Sequence, residues 1–243
     1  MRQASIIVAE SKRAAARAAV EEVEDGMLVG LGTGSTVAFA IAALGARVAR
    51  GLHVRATATS LRTAAAAEEL GIPLLAFDDL AAIDLAIDGV DEIDPAFRAI
   101  KGAGGAMLRE KIVATAAARM VAIADASKAV ERLGAARVPV EVLPFARSFV
   151  ARTVTALGGR PELRRDDAGL PWRTDQENLI LDCAFGTIAD SGALAAALSA
   201  IPGLLGHGLF VDEIDALYLG DASGVVRRER ATSDMTLRRR TIS

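Results

Sequence analysis

The chain has 243 residues, of which 52% are hydrophobic and 24% are charged, and its formal net charge is −3 at pH 7. This weak negative charge gives no general attraction to nucleic acid, and charges interrupt every apolar run before it reaches the roughly 20 residues that a membrane-spanning helix needs. With a single cysteine and no signal-peptide pattern at the N-terminus, we expect a soluble cytoplasmic protein without an internal disulfide.

Helix and strand patterns alternate through the first half of the chain. Residues 5–24 have the alanine-rich composition of a helix that stops at Asp25-Gly26. The short apolar run 27–31 is typical of a buried parallel strand. The same patterns predict further strands at 53–58, 73–76, 85–87 and 120–124, and further helices at 37–44, at 60–70 and from Met107 onward. This alternation predicts an α/β fold, whose ligands bind beyond the carboxyl ends of the parallel strands.

A turn of glycines and hydroxyl residues, Gly32-Thr33-Gly34-Ser35-Thr36, follows the first strand and precedes a helix. Such a turn can bind phosphate, because free backbone N–H groups and hydroxyls at a helix start donate to anionic oxygens. The turn lacks the Gly-Lys-Ser/Thr of a nucleotide P-loop, and it lacks the third glycine of a dinucleotide site. It therefore favours a small phosphorylated molecule, with a plain helix cap as the alternative.

Four acids crowd the segment that follows the strand at 85–87, which reads Asp88-Gly89-Val90-Asp91-Glu92-Ile93-Asp94. Asp88 and Asp91 bracket a glycine turn, and both can face the crevice at the sheet edge. A metal ion is a rival interpretation, but a site of oxygen ligands needs more converging groups than this segment supplies. We therefore expect no metal and activity that survives chelation, with a solvated acidic loop as the alternative.

The segment 100–114, IKGAGGAMLREKIVA, is the centre of the functional prediction. Lys101 precedes a turn of small residues, Gly102 to Ala106, which lets backbone N–H groups approach a ligand closely. The helix that begins at Met107 carries Glu110 in its first turn, where the helix dipole favours a negative charge. An ordinary turn followed by a solvated helix face is the alternative. Asp125-Ala126-Ser127-Lys128 adds one more polar segment after a predicted strand.

From about Gly134 the predicted elements change to an α+β order. They are an apolar segment at 138–143, helices at 146–157 and 190–200, and strands at 160–165, 178–185 and 204–210. This order predicts a small domain over 134–208, inserted into a larger domain formed by 1–133 and 209–243. Within this half we expect a surface loop at 166–177, a structural role for His207, and a frayed, solvated tail after Gly224.

Seven motifs in order, GTGST, DGVDEID, KGAGGAMLREK, IADASK, PVEVLPFA, GGRPELR and TDQENLILD, resemble the type A ribose-5-phosphate isomerases over nearly the whole chain. The resemblance implies an aldose–ketose isomerase that interconverts ribose 5-phosphate and ribulose 5-phosphate without metal or cofactor. It implies a Rossmann-like, mostly parallel sheet with helices on both faces, a smaller α+β (ferredoxin-like) lid domain, and a homodimer or homotetramer.

The resemblance also implies the roles of individual residues. It makes Glu110 the catalytic base, with Asp88, Asp91 and Lys101 as further catalytic groups. The substrate contacts it implies are Lys12, Thr33, Gly34, Ser35, Thr36, Asp88, Gly89, Val90, Asp91, Lys101, Gly102, Ala103, Gly104 and Lys128. Two positions depart from the family pattern: Ala103 replaces a common glycine, and the segment DEIDALYLG is more acidic than usual.

The residue types suit this reaction. One carboxylate can take a proton from one carbon and return it to the neighbouring carbon, most effectively when its pKa is raised toward neutrality. Lys101 and the backbone N–H groups of 102–105 can stabilise the enediolate. Asp88 or Asp91 can move hydroxyl protons and help to open the sugar ring, and the sequence does not assign these tasks between them.

Two other classes share this general fold. A sugar-phosphate sensor would keep the phosphate-binding turn without a base, and it would normally carry a DNA-binding helix-turn-helix. Only one predicted helix precedes the first strand, which argues against this class. An amino-sugar-phosphate deaminase or an acyl-CoA transferase is the second alternative, and the seven ordered motifs argue against it.

Overall fold

The structure is a computed structural model that describes residues 2–231, with side chains from residue 5 onward. Its helices are α1 (Arg2–Val20), α2 (Ser35–Val48), α3 (Leu61–Glu69), α4 (Met107–Ala116), α5 (Arg147–Ala156) and α6 (Ser191–Ser199). Its strands are β1 (Leu28–Leu31), β2 (Arg55–Ala58), β3 (Ile83–Gly89), β4 (Glu92–Ile93), β5 (Ala99–Ile100), β6 (Ala117–Asp125), β7 (Val138–Val142), β8 (Arg160–Leu163), β9 (Leu179–Ala184), β10 (Leu204–His207), β11 (Leu209–Phe210), β12 (Ala216–Asp221) and β13 (Gly224–Glu229). Within the described residues, no helix has the length and apolar character that a membrane crossing requires.

The main sheet has the strand order β13-β12-β6-β3-β1-β2. Neighbouring strands from β12 to β2 pair in parallel, and only β13 at the edge is antiparallel. Because parallel strands end at the same edge, the segments after β1, β3 and β6 lie side by side. The turn 32–36, the acidic segment 88–94 and the segment 126–128 therefore meet at one edge of the sheet.

Alternate residues of the central strands pack on opposite faces of this sheet, as the two-residue repeat of a strand requires. Ile87 and Ile123 face a core formed with α1, α2 and α3. Ala86 and Ala122 face a second core, to which α4 contributes Val113. Burial on both faces explains why the middle parts of these strands, 85–87 and 120–124, are continuously apolar in sequence.

The second sheet, called the smaller sheet, is antiparallel and has the order β10-β7-β9-β8. Helices α5 and α6 pack on it around a separate apolar core. The short strands β11, β5 and β4 form a third sheet. Strand β5 leads directly into Lys101, and it pairs with both β4 and β11. The chain that leaves the second sheet, β11, is thus hydrogen-bonded to the strand that directly precedes Lys101.

Two predicted strands differ from the structure. In 73–76 only one residue pair bridges to β2, Leu74 with Ala56, because Pro73 has no N–H to donate and the chain turns into a 3-10 helix at Phe77. The predicted strand 204–210 divides at Gly208 into β10, which pairs with β7, and β11, which pairs with β5.

The prediction of a frayed tail after Gly224 is wrong for its first residues. Residues Gly224–Glu229 form β13, which pairs along its whole length with β12. The buried Arg230 follows, and its guanidinium donates to the carbonyls of Ile214, Phe97 and Val211 at 2.7 to 3.0 Å. The arginine-rich sequence from residue 232 onward lies outside the described residues.

Candidate active site

Three charged side chains, Asp88, Lys101 and Glu110, lie buried together at the carboxyl edge of the main sheet. Asp88 is near the end of β3, Lys101 directly follows β5, and Glu110 is in the first turn of α4. The Lys101 Nζ is 2.9 Å from Asp88 Oδ2 and 3.4 Å from Glu110 Oε2, and it also donates to the Gly89 carbonyl. One buried ammonium group therefore faces two buried carboxyl groups.

Glu110 is the less well compensated of the two acids. Burial and the neighbouring Asp88 raise the pKa of Glu110 to about 8, against the opposing effect of Lys101. Its Oε2 is buried and has no hydrogen-bond partner among the described residues, because Lys101 lies at ion-pair distance but outside hydrogen-bond geometry. A carboxyl group of this kind gains and loses a proton near neutral pH, as a general base requires.

Asp88 has more partners. Its Oδ1 accepts from the backbone N–H groups of Thr33, at 3.1 Å, and Gly89, at 2.7 Å, while Oδ2 contacts Lys101. Burial raises the pKa of Asp88, and these donors oppose the rise by stabilising the charged form. Glu110 Oε2 has no such donor within the described residues, so the charged form of Glu110 is the less stabilised of the two.

Lys101 stays charged between the two acids. Burial alone would lower its pKa, but the Asp88 and Glu110 carboxylates outweigh this effect, so that the pKa of Lys101 is raised. The site thus holds a permanent cation next to a carboxyl group that titrates, which is the combination needed to move a proton and to stabilise the resulting anion.

The turn between Lys101 and α4 depends on its glycines. Gly102 has φ +101° and Gly105 has φ +82°, a conformation that favours glycine. A Cβ at Gly102 would lie 2.8 Å from the Met107 Cβ, so the site also lacks space for a side chain. The Ala103 N–H donates to Asp91 Oδ2 at 3.0 Å, which joins the turn to the acidic segment after β3.

The predicted phosphate-binding turn lies at the start of α2. Gly34 precedes the helix with φ +127° and provides no side-chain cap, so the first N–H groups of α2 remain available to a ligand. The Lys12 Nζ donates to Ser35 Oγ at 3.0 Å. The Thr33 hydroxyl differs from the expectation, because it is buried against the hydroxyls of Thr59, at 2.8 Å, and Ser60, at 2.9 Å, instead of facing a ligand.

A cavity of about 250 Å³ joins these groups. All predicted site residues line it except Asp88, which lies behind Lys101. Arg62 also lines the cavity and is absent from the predicted set. The sequence signal for it is Ser60, which caps the start of α3. Because the end of β2 is paired with the end of β1, the start of α3 lies beside the phosphate-binding turn.

The acids of 88–94 do not converge on a common point. Their partners are Lys101 for Asp88, the Ala103 N–H for Asp91, the backbone N–H groups of Gly134 and Ala136 for Glu92, and Arg98 for Asp94. Among residues 2–231, no group of three or more His, Cys, Asp or Glu side chains is placed to hold a metal ion.

Comparisons with known proteins identify the family of the chain. The sequence model of the family ribose 5-phosphate isomerase A (phosphoriboisomerase A) matches residues 55–224. The chain is 52% identical over 226 residues to ribose-5-phosphate isomerase A of Sphingopyxis alaskensis, covering 93% of this chain and 98% of the relative.

Solved structures give the same result. Ribose 5-phosphate isomerase A from Methanocaldococcus jannaschii is similar with a TM-score of 0.87 and 37% identity, over 90% of this chain and 98% of that chain. A D-ribose-5-phosphate isomerase in complex with phospho-erythronic acid is similar with a TM-score of 0.89 and 36% identity, over 92% of this chain and 99% of that chain.

Proposed function

The chain belongs to the ribose 5-phosphate isomerase A family, and we propose that Glu110 is the base with which it interconverts D-ribose 5-phosphate and D-ribulose 5-phosphate. The observation that carries this assignment is the buried environment of the Glu110 carboxyl group. It is buried in the wall of the cavity, burial and Asp88 raise its pKa to about 8, and its Oε2 has no hydrogen-bond partner within the described residues.

The reaction needs one proton to move between neighbouring carbons. Glu110 takes the proton from C2 of the open-chain aldose, the electron pair of that bond forms the C1–C2 double bond, and O1 becomes anionic. The O2 proton then passes to O1, and Glu110 returns its proton to C1, which leaves the ketone at C2. Lys101 lies beside Glu110 and stabilises the enediolate.

The two acids between which the sequence does not decide differ in access to the substrate. Asp91 lines the cavity, whereas Asp88 does not and is hydrogen-bonded to Lys101 and two backbone N–H groups. We therefore assign the transfer of hydroxyl protons and assistance in ring opening to Asp91. Asp88 holds Lys101 in place and keeps it charged.

The substrate phosphate is assigned to the other end of the cavity. Lys12 on α1 and Lys128 in the segment after β6 line the cavity together with Ser35 and Thr36 at the start of α2. Two cations and free helix N–H groups suit a phosphate dianion, whose binding energy orients the reacting carbons near Glu110.

Three further assignments belong to this proposal. Residues 134–208 form the smaller domain and the described residues of 1–133 and 209–243 form the larger one, because the strands and helices of the second sheet all fall within 138–207. The chain forms a homodimer or homotetramer, and the exposed aromatic rings of Phe145 and Phe149 are surfaces that self-association would cover. The buried, unpaired Cys183 suits a reducing cytoplasm.

Exchange of the substrate C2 proton with deuterated solvent tests the base. In Glu110→Gln, kcat is expected to fall by at least about a hundredfold and C2 exchange to fall with it, because the amide cannot accept a proton. Ribose 5-phosphate should still raise the melting temperature of the variant. Near-normal exchange in Glu110→Gln would assign the base to another residue, and binding without exchange in the wild type would indicate a sensor.

A further inference from the structure

Two motifs of the smaller sheet, GGRPELR and TDQENLILD, take no part in the mechanism above. In the structure they meet as an ion pair between Arg164, which directly follows β8, and Asp182 on β9. The Arg164 Nε is 2.8 Å from Asp182 Oδ2 and its Nη2 is 2.5 Å from Oδ1. Such a two-point contact fixes the plane of the guanidinium group.

The remaining nitrogen of Arg164 reaches the catalytic turn. Its Nη1 donates to the Gly102 carbonyl at 3.2 Å and to the Ala103 carbonyl at 3.1 Å. These two carbonyls belong to the peptide units between Lys101 and α4. A side chain of the smaller sheet therefore holds the turn from the side opposite to its N–H groups.

Peptide geometry gives this contact a consequence for the cavity. In a trans peptide the N–H points opposite to the carbonyl, so the N–H groups of Ala103 and Gly104 point away from Arg164. The Ala103 N–H already donates to Asp91 at 3.0 Å. Gly104 lines the cavity, and its N–H has no hydrogen-bond partner within residues 2–231.

We propose that Arg164 is a positioning residue of the isomerase, which fixes the Gly104 N–H as a donor to the enediolate oxygen. Asp182 fixes the plane of the Arg164 guanidinium group, so that its Nη1 reaches the carbonyls of the turn. The inference rests on the proposed function, because it requires negative charge to develop on O1. A donor that is already oriented stabilises this charge without reorganisation during the reaction.

Arg164→Lys tests the proposal, since lysine keeps the charge but loses the planar fork. Loss of one donor to an oxyanion typically costs about 10²–10³ in kcat, so its misplacement is expected to lower kcat about 10- to 100-fold. KM should stay within about threefold, because the phosphate contacts are unchanged. Inhibition by phospho-erythronic acid, whose carboxylate resembles the enediolate, should weaken in step with kcat, whereas inhibition by inorganic phosphate should not.

The neighbouring Arg165→Lys is the matched control. Arg165 Nη1 donates to the Gly169 carbonyl in the surface loop 166–177. The kcat of Arg165→Lys and its inhibition by phospho-erythronic acid should therefore match the wild type. Asp182→Asn is the second variant, because it leaves Arg164 present but weakens the fork, and we expect a smaller loss of about 3- to 10-fold in kcat. If Arg164→Lys does not fold, the Asp182→Asn result decides.

A purely structural role gives a different pattern. The proposal is overturned if the variants melt at lower temperature while kcat and analogue inhibition change by less than about twofold, or if inhibition by inorganic phosphate weakens as much as kcat falls. Failure of the proposed function is separate. It would show as C2 proton exchange that persists in Glu110→Gln, whatever the Arg164 variants do.

Discussion

The two ends of the cavity are built differently. The reacting end holds two acids and one base, Asp88, Glu110 and Lys101, and each is at most 3% exposed. At the phosphate end, Lys12 and Ser35 are partly or largely exposed, and the charged side chains of Lys12 and Lys128 are both basic. Burial moves pKa values at the first end, whereas at the second end solvent leaves the charges available for binding.

This contrast separates two tasks that one substrate requires. Chemistry needs a proton acceptor with a pKa near neutrality, and this is reached by removing water and crowding like charges. Binding a phosphate dianion needs donors that lose little hydration free energy when the phosphate replaces water, such as helix N–H groups, hydroxyls and solvated lysines. Substitutions at the first end should therefore affect kcat and folding, and substitutions at the second end should affect KM.

The largest effect is expected for Lys101→Met. Removing the ammonium group that lies between two buried carboxyl groups should lower the free energy of unfolding by about 3–5 kcal/mol. It should also lower kcat by at least about a hundredfold, because the enediolate loses its cation. Urea unfolding and steady-state kinetics measure the two effects.

Lys111→Met is the control for Lys101→Met. Lys111 is also largely buried on α4, pairs with Glu213 at 3.0 Å, and does not line the active-site cavity. Its removal should destabilise the fold and leave kcat unchanged. Equal losses of kcat in both variants would mean that turnover simply follows stability.

The next effect is a pH dependence of stability. The pKa of Glu110 is about 8 in the folded chain, above its ordinary value of 4.5. Between these values the folded state binds a proton that the unfolded state releases, so the contribution of Glu110 to stability falls as the pH rises through this range. Glu110→Gln does not titrate. Its stability relative to wild type should therefore increase from about pH 5 to about pH 9, by a few kcal/mol.

Denaturant unfolding of the two proteins across this pH range measures the difference. Parallel stability curves would contradict the raised pKa of Glu110. Thr36→Val at the phosphate end should give a curve parallel to the wild type, since it removes no titrating group.

The smallest effect is expected for Thr36→Val in kinetics. Loss of one donor to a charged acceptor costs about 1.5–3 kcal/mol, which raises KM by about ten- to a hundredfold with a smaller change in kcat. Thr155→Val on α5, where the hydroxyl donates to a carbonyl of its own helix, is the control and should leave both constants unchanged. A fall in kcat at constant KM in Thr36→Val would remove the distinction between the two ends.

The sequence predicts those features that depend on local patterns. The parallel sheet follows from apolar runs between helices, and the meeting of polar segments follows because parallel strands end at one edge. Glu110, Lys101 and Asp91 lie in such segments, so the sequence alone is enough to predict that they lie near one another. The burial that separates Asp88 from the cavity is not predictable in this way, because it depends on how β3, β5 and α4 pack.

The contact between the smaller sheet and the catalytic turn is not predictable for the same reason. Arg164 reaches Gly102 only because the smaller sheet packs against the catalytic turn, and no spacing in the sequence encodes this approach. Trp172 illustrates the same limit. It lies in the surface loop that the sequence predicts, but the sequence gives no sign that its Nε1 lies 3.0 Å from the position that a Cβ at Gly105 would occupy.

Gly208, where the chain leaves the smaller sheet, sets a limit on how the protein can be rebuilt. Its N–H donates to the Pro139 carbonyl and its carbonyl accepts from the Lys101 N–H, both at 2.8 Å, and a Cβ there would lie 2.1 Å from the Lys101 carbonyl oxygen. The backbone of the catalytic lysine is thus built partly by the segment that returns from residues 134–208. Excising or exchanging that segment as a module would move Lys101, whereas the exposed turn between β12 and β13 offers a site where inserted sequence leaves the reacting groups in place.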